Sequence, residues 1–218
     1  MMISKINLYR LFLLIMYFAF LIWYGGSGDK MTPSEIKRGI DKLKAYALEN
    51  EEMSSFYGTD KTIDSLNKMV SNDDGREFIM VNLIKYRDVA KYPENSKWSN
   101  DYDPMIAEQR YFEGLKMFRK AGHPIFFSKV ASKFIDDSDS GEWDVVILVR
   151  YRSMRDLFNM AIDAAVSGNS IHKWASIEKT NVFPVKSQIS LFLPKFFITL
   201  LFLLVAYIPA LIKRAHQK

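Results

Sequence analysis

EFIMVNLIKY, Glu77–Tyr86, is the stretch on which the fold turns. It is rich in apolar and β-branched residues and is bounded by the polar SNDDGR before it and by Arg87 and Asp88 after it, so it reads as a β-strand. Side chains alternate along a strand, which puts Met80, Asn82 and Ile84 on one face. Downstream, Asp103 and Pro104 open a helix predicted to run to about Ala121 and to close at Gly122. Ile125–Phe134 reads as a second strand, DDSDSG at Asp136–Gly141 as a turn, and Trp143–Tyr151 as a third strand around the apolar run VVILV. Ser153 and Asp156 form a capping box for a helix through Met160 to Ala165, which Gly168–Ser170 breaks. A short helical piece around His172–Ile177 leads to a last strand, Thr180–Val185.

Strand, helix, strand, strand, helix, strand is the ferredoxin-like βαββαβ order: an α+β domain with an antiparallel sheet and both helices on one face. The bare face of such a sheet needs cover. Two sheets packed face to face provide it, so a homodimer is expected.

Upstream, GGSGDK at Gly25–Lys30 is a flexible linker by composition. Thr32, Pro33 and Glu35 supply an N-cap, a first-turn proline and a capping box. Ile36, Ile40, Leu43 and Ala47 then keep helical spacing, predicting a helix to about Met53, and a second helix is expected over Asp60–Val70. These two helices read as a stalk or a cover for the domain.

Both ends of the chain are apolar. LFLLIMYFAFLIWY fills Leu11–Tyr24 and FFITLLFLLVAYIPALI fills Phe196–Ile212, and a spanning helix needs about 20 such residues. The expected division is a transmembrane helix over 8–26, a linker and helical segment over 27–75, the ferredoxin-like domain over 76–186 and a second transmembrane helix over 189–212. No Asp or Glu falls before Asp29 or after Glu178, so the tails carry only positive charge. That asymmetry predicts cytoplasmic termini and a periplasmic domain in a bacterial inner membrane. Lys30, Lys37 and Arg38 weaken the contrast, and the first run also has the look of a signal peptide, though WYGGSG offers no clear A-x-A site.

The formal net charge is +5, with 30 Lys and Arg against 25 Asp and Glu. Lys5, Arg10, Lys195, Lys213, Arg214 and Lys218 lie at the flanks, which leaves the middle with 24 against 25. The basic balance therefore belongs to the membrane flanks and gives no nucleic-acid footprint. The chain has no cysteine, which excludes disulfides, thiolate catalysis and Cys-based metal sites.

The string VNLIKYRDVAKY, Val81–Tyr92, resembles the first-strand motif of a bacterial domain-of-unknown-function family in the dimeric α/β-barrel superfamily. KAGHP at Lys120–Pro124, EWDVVILVRYRSMRDLFNM at Glu142–Met160 and HKWASIEKT at His172–Thr180 extend the resemblance, which covers about Arg76 to Val185. W-D-x-V-x-x-x-R-Y, Trp143–Tyr151, is its most specific part; His123 stands where relatives commonly carry a second glycine. The resemblance implies a fold and a dimer. It implies no activity, although the wider superfamily includes cofactor-free monooxygenases, haem-degrading enzymes and small-molecule isomerases.

Candidate chemistry is sparse. Asn82, on a core face, is either a substrate-orienting amide or a structural amide satisfied by backbone. Tyr86, Arg87, Arg150, Tyr151 and Arg152 gather at strand ends, where they suit an anionic ligand or ion pairs to Asp88, Asp144 and Asp156. His123 and His172 match no metal-ligand spacing, and His216 sits in the tail. His172 is the better general-base candidate, because the last short helix would overhang a pocket; the alternative is a surface histidine. Trp143 and Trp174 line either a pocket or the core. No G-x-G-x-x-G, Walker A or G-x-S-x-G string occurs, so no cofactor is implied.

The leading expectation is a membrane-anchored domain outside the cytoplasm that binds a small molecule or a protein partner. A cofactor-independent monooxygenase or isomerase built on Asn82, Trp143 and His172 is the enzymatic alternative. A structural assembly module of the cell envelope is the third.

Overall fold

The structure, a computed structural model, describes residues 5–26, 28–49, 60–94, 96–98, 103–135, 142–188 and 194–215. In chain order its elements are α1 (Lys5–Gly25), α2 (Pro33–Glu49), α3 (Asp60–Ser71), β1 (Phe78–Tyr86), α4 (Pro104–Gly114), β2 (His123–Lys129), β3 (Val145–Tyr151), α5 (Met154–Val166), α6 (Ser170–Ser176), β4 (Ile177–Val185) and α7 (Pro194–Ala215). They form two compact units: Ser27–Ser187, and a second made of Met1–Gly26 with Gln188–Lys218.

In the larger unit the strands make one sheet in the order β2-β3-β1-β4, and every neighbouring pair is antiparallel. Asn82 stands opposite Ile147 on β3 and Val182 on β4. This register sends Phe78, Met80 and Ile84 of β1 to the same side as Val145, Ile147, Val149 and Tyr151 of β3, and all seven are buried in one core with α2, α3 and α5. On the opposite face Val81, Leu83, Val146 and Leu148 are only half-buried. Phe126 and Phe183, on the same face, are 37% and 39% exposed, so the middle of that side is apolar and open, while Ile79 and Arg150 at its end are buried.

Both sequence-predicted N-caps form, the first as a full capping box. The Thr32 amide donates to Glu35 Oε2 at 2.7 Å and the Glu35 amide to Thr32 Oγ1 at 3.3 Å. Ser153 caps α5 by accepting from the Asp156 amide at 3.2 Å. The first box is also a clasp, because Arg155 of α5 donates to Glu35 Oε1 at 3.0 Å and to the Lys30 carbonyl at 2.7 Å. Helix α2 lies close against α5. A methyl group added at Gly39 would come within 2.7 Å of the Phe158 ring and 2.6 Å of Ile162 Cδ1, so only glycine permits that approach. Met31, Ile40, Leu43, Ile63 and Val70 thus join the main core.

Three sequence-predicted boundaries are corrected. The helix expected to reach Ala121 ends at Gly114, and a short 3-10 turn, Met117–Lys120, follows it. The turn is framed by Lys116 and Ala121, both left-handed at φ 50° and 51°, so the stop expected at Gly122 falls one residue earlier on a non-glycine. Strand β2 starts at His123 and stops at Lys129 instead of running from Ile125 to Phe134; Phe134 and Ile135 are left 96% and 73% exposed. Strand β4 begins at Ile177, three residues before the expected start. The turn expected over 136–141 and the helix beyond Glu49 lie outside the described residues.

In the smaller unit α1 and α7 pack antiparallel. The Tyr17 hydroxyl is 2.9 Å from Thr199 Oγ1, the Tyr17 and Phe202 rings are 5.2 Å apart, and Tyr9 donates to the Val205 carbonyl at 3.4 Å. At the opposite end the Lys195 ammonium sits 5.7 Å from the centre of the Tyr24 ring. Outward-facing residues such as Leu11, Phe12, Ile15, Phe197, Leu201 and Leu204 are exposed. Among the described residues, α1 is the helix long and apolar enough to cross a membrane; the apolar part of α7, Pro194–Ala210, is shorter. Residues 189–193, expected to lengthen the second span, lie outside the described residues.

Candidate functional site

The site lies where α4 and α6 meet the end of β1. Helix α4 is well started: Asp103 Oδ1 accepts from the Met105 amide at 2.8 Å, and Pro104 holds the first turn. Its far end is tied to the entry of α6. Asn169 Nδ2 donates to the Tyr111 carbonyl at 2.9 Å and fills the space left by the missing side chain of Gly114. The strand's exit is tied to the other end of α6, through Arg87 N to Ser176 O at 3.0 Å and Lys91 N to Ala175 O at 2.9 Å.

These ties bring three chemically capable groups together. Glu108, in the middle of α4, is buried, and its carboxyl accepts a hydrogen bond from the Tyr86 hydroxyl. Burial pushes the Glu108 pKa up to about 7, against the opposing pull of the Lys173 charge. Lys173 of α6 lies over the rings of Tyr111 and Trp174, 5.6 and 5.4 Å from their centres. Burial pulls its pKa below the usual lysine range, and the Glu108 charge works the other way.

Two clefts open on either side of the Tyr86–Glu108 hydrogen bond. Glu108 lines a cleft of about 700 Å³ beneath α4, whose walls include Ile106, Phe112, Met117, Phe127 and Ile147. Tyr86 lines another of about 710 Å³, together with Trp143, Asp144, Lys129 and Lys133. The first is mainly apolar, with the buried Glu108 in its wall and the exposed Glu113 and Lys116 also lining it; the second is charged.

On the other flank of α4, His172 is buried with its Nδ1 2.9 Å from the Tyr92 hydroxyl, and its ring meets Trp98 edge-on at 4.8 Å. The Arg110 guanidinium lies 4.4 Å from the centre of the Trp98 ring. Burial lowers the His172 pKa, helped by the charges of Arg110 and Lys97. Ser170 Oγ, also buried, has no hydrogen-bond partner among the described residues.

The other residues singled out in the sequence are scattered. Asn82 Nδ2 donates to the carbonyls of Met80 and Ile147 at 3.2 and 3.3 Å, within the sheet. Arg150 is fully buried and donates to Glu77 at 2.6 and 3.0 Å and to the Ala121 carbonyl at 2.7 Å. Tyr151 stacks on Phe78 at 5.6 Å and is buried, which raises its pKa. Arg152 pairs with Asp156 at 2.7 Å. His123 stacks on Phe118, and His216 lies outside the described residues. Asn82, Trp143 and His172 therefore have three separate settings: sheet backbone, charged cleft and aromatic cluster. Tyr86 and Trp174 do reach the site, the first through Glu108 and the second through Lys173.

Glu108 and Lys173 were not singled out from the sequence. One signal for Glu108 was present. Pro104, Ala107, Glu108 and Tyr111 follow i, i+3, i+4, i+7, which sets an acid on the buried stripe of α4.

Two solved structures share the fold. One is a protein of unknown function from Rhodopseudomonas palustris, a structural-genomics target, with 20% identity and a TM-score of 0.50 over 61% of this chain and 95% of that one. The other is the methylated form of that protein, with 19% identity and a TM-score of 0.50 over 60% of this chain and 93% of the other. No protein-family model and no curated protein matches the chain.

Proposed function

We propose that the protein binds a small, mainly apolar molecule carrying one hydrogen-bonding group, in the cleft beneath α4. The observation that carries this reading is the cleft itself: about 700 Å³ of space with apolar walls and a buried carboxyl in its lining. Sites for small ligands have this composition, with apolar walls for affinity and few polar groups for orientation. The test is extraction and mass spectrometry of small molecules retained by the full-length protein purified in detergent. A compound held by the wild type and lost from Ile106→Trp, which fills the cleft from an exposed position, is expected. Equal retention by both, or none by either, counts against it.

The setting we propose for this site is a ferredoxin-like domain that pairs as a homodimer and is held at a membrane. The order β2-β3-β1-β4, with α4 between β1 and β2 and α5 between β3 and β4, supports the ferredoxin-like reading. The uncovered apolar face of the sheet supports a second copy of the chain as its cover. Helix α1 and the apolar exterior of α7 support anchoring at both ends, and the positive tails support cytoplasmic termini with a periplasmic domain in a bacterial inner membrane.

A further inference from the structure

We propose that Glu108 and Tyr86 form a proton-transfer site, in which the Glu108 carboxylate acts as general base toward an activated C–H group of an apolar carbon acid bound beneath α4. The proposal rests on the small-molecule reading of that cleft and adds a reaction to it.

Three observations converge. First, the carboxyl belongs to the wall of a mainly apolar cleft, where a bound molecule would lie beside the base. Second, one of its oxygens, Oε2, is already engaged by the Tyr86 hydroxyl, which fixes the carboxyl in the lining of the cleft. Third, the group is neither a surface carboxylate nor half of an ion pair within 4 Å among the described residues. A base works best when its pKa lies near the working pH, and burial brings Glu108 there. The titratable groups around it are Tyr86 from β1, Lys173 from α6, and Glu113 and Lys116, which line the same cleft. Strands β2 and β3 contribute Phe127 and Ile147, which do not titrate.

The step balances without a cofactor. Glu108 takes the proton, the C–H electron pair moves into the substrate, and an adjacent carbonyl or a departing atom of the substrate receives it. The Glu108 proton then returns to another carbon, which is an isomerisation, or passes to water. The substrate class is an apolar compound with a C–H group next to an electron-withdrawing centre.

The probe is 5-nitrobenzisoxazole, an apolar bicycle. A base removes its C3 proton, its N–O bond breaks, and a coloured 2-cyano-4-nitrophenolate appears. Wild-type full-length protein is expected to give saturable turnover that rises with pH through about 7, with a general-base contribution of roughly 100-fold or more. Glu108→Gln is expected to abolish it, and Glu108→Asp to retain a fraction. Tyr86→Phe removes a hydrogen bond to the charged form and releases the carboxyl, so it moves the profile to higher pH and lowers the plateau. A purely structural role for Tyr86 would lower the plateau without moving the midpoint. Turnover unchanged in Glu108→Gln, or none in the wild type, overturns the proposal. The retained-compound assay, run on Glu108→Gln and Ile106→Trp, reports separately on the cleft: a compound still held by Glu108→Gln keeps the binding reading whatever the kinetics show.

Discussion

The hydroxyl of Tyr86, the last residue of β1, donates to the carboxyl of Glu108 in the middle of α4. A strand end and a helix face are joined through a buried acid, and the acid's charge state is therefore coupled to the folding of the domain.

That coupling has a sign. Glu108 titrates near 4.5 when unfolded and at about 7 when folded. Between those values the unfolded chain has lost a proton that the folded chain keeps, so stability falls as pH rises from about 4.5 to about 7. The full shift corresponds to about 3 kcal/mol. Glu108→Gln removes this penalty and leaves Lys173 without its counter-charge, which offsets part of the gain. Urea unfolding of the full-length protein is expected to show the variant matching the wild type below pH 4.5 and exceeding it by up to about 3 kcal/mol above pH 7.

Glu35 acts in the opposite sense. Its hydrogen bonds from the Thr32 amide and hydroxyl, and then Arg155, hold its pKa down to about 2. Its contribution is present above about pH 4.5 and is lost as pH falls toward 2. Glu35→Gln is expected to flatten that acid limb and to weaken the hold of α2 on α5, read as faster amide exchange in α2 at neutral pH.

Gly39→Ala sets two effects against each other. Alanine improves helix propensity by up to about 1 kcal/mol. Its methyl collides with Phe158 and Ile162, and overpacking of that kind costs about 1–3 kcal/mol. A net loss of stability is expected, and Phe158→Leu in the same chain should recover part of it in a double-mutant cycle.

The open sheet face gives a prediction about assembly. Leu148→Glu puts a charge in the middle of that face, on the side away from the core. Light scattering is expected to show a dimer for the wild type and for the control Lys42→Glu, and a folded monomer for Leu148→Glu. A wild type that is already monomeric would sink the pairing of sheets.

Because the chain has no cysteine, topology can be read by adding one. Glu178→Cys, exposed on β4, is expected to react with a membrane-impermeant maleimide in spheroplasts. Gln217→Cys, in the tail, is expected to react only after lysis.

Much of this architecture was legible in local chemistry. The caps at Thr32 and Ser153 and the four apolar strands each obey a short-range rule, and each forms within a few residues of the expected place. What failed was long-range. Gly114 weakens the helix locally, but residues 115–120, LKMFRK, contain no glycine or proline to announce the left-handed residue at Lys116. Packing imposes it: Leu115 and Met117 both enter the core, and a straight helix would carry one of them away. The site was hidden for the same reason. The helical stripe of α4 marks Glu108 as a buried acid, but Lys173 of α6 lies some sixty positions later and no local rule joins the two.

The antiparallel pairing of α1 with α7 sets an order on how the molecule is made. Tyr17 and Thr199 touch, yet 182 positions separate them. At ribosomal rates of about 5–20 residues per second, α1 waits roughly ten to forty seconds for its partner. During that interval the whole of Ser27–Ser187 is synthesised, and its fold can close before α7 exists. The contact between Tyr17 and Thr199 is thus a late event in biogenesis, the latch that shuts after everything between the two helices already exists.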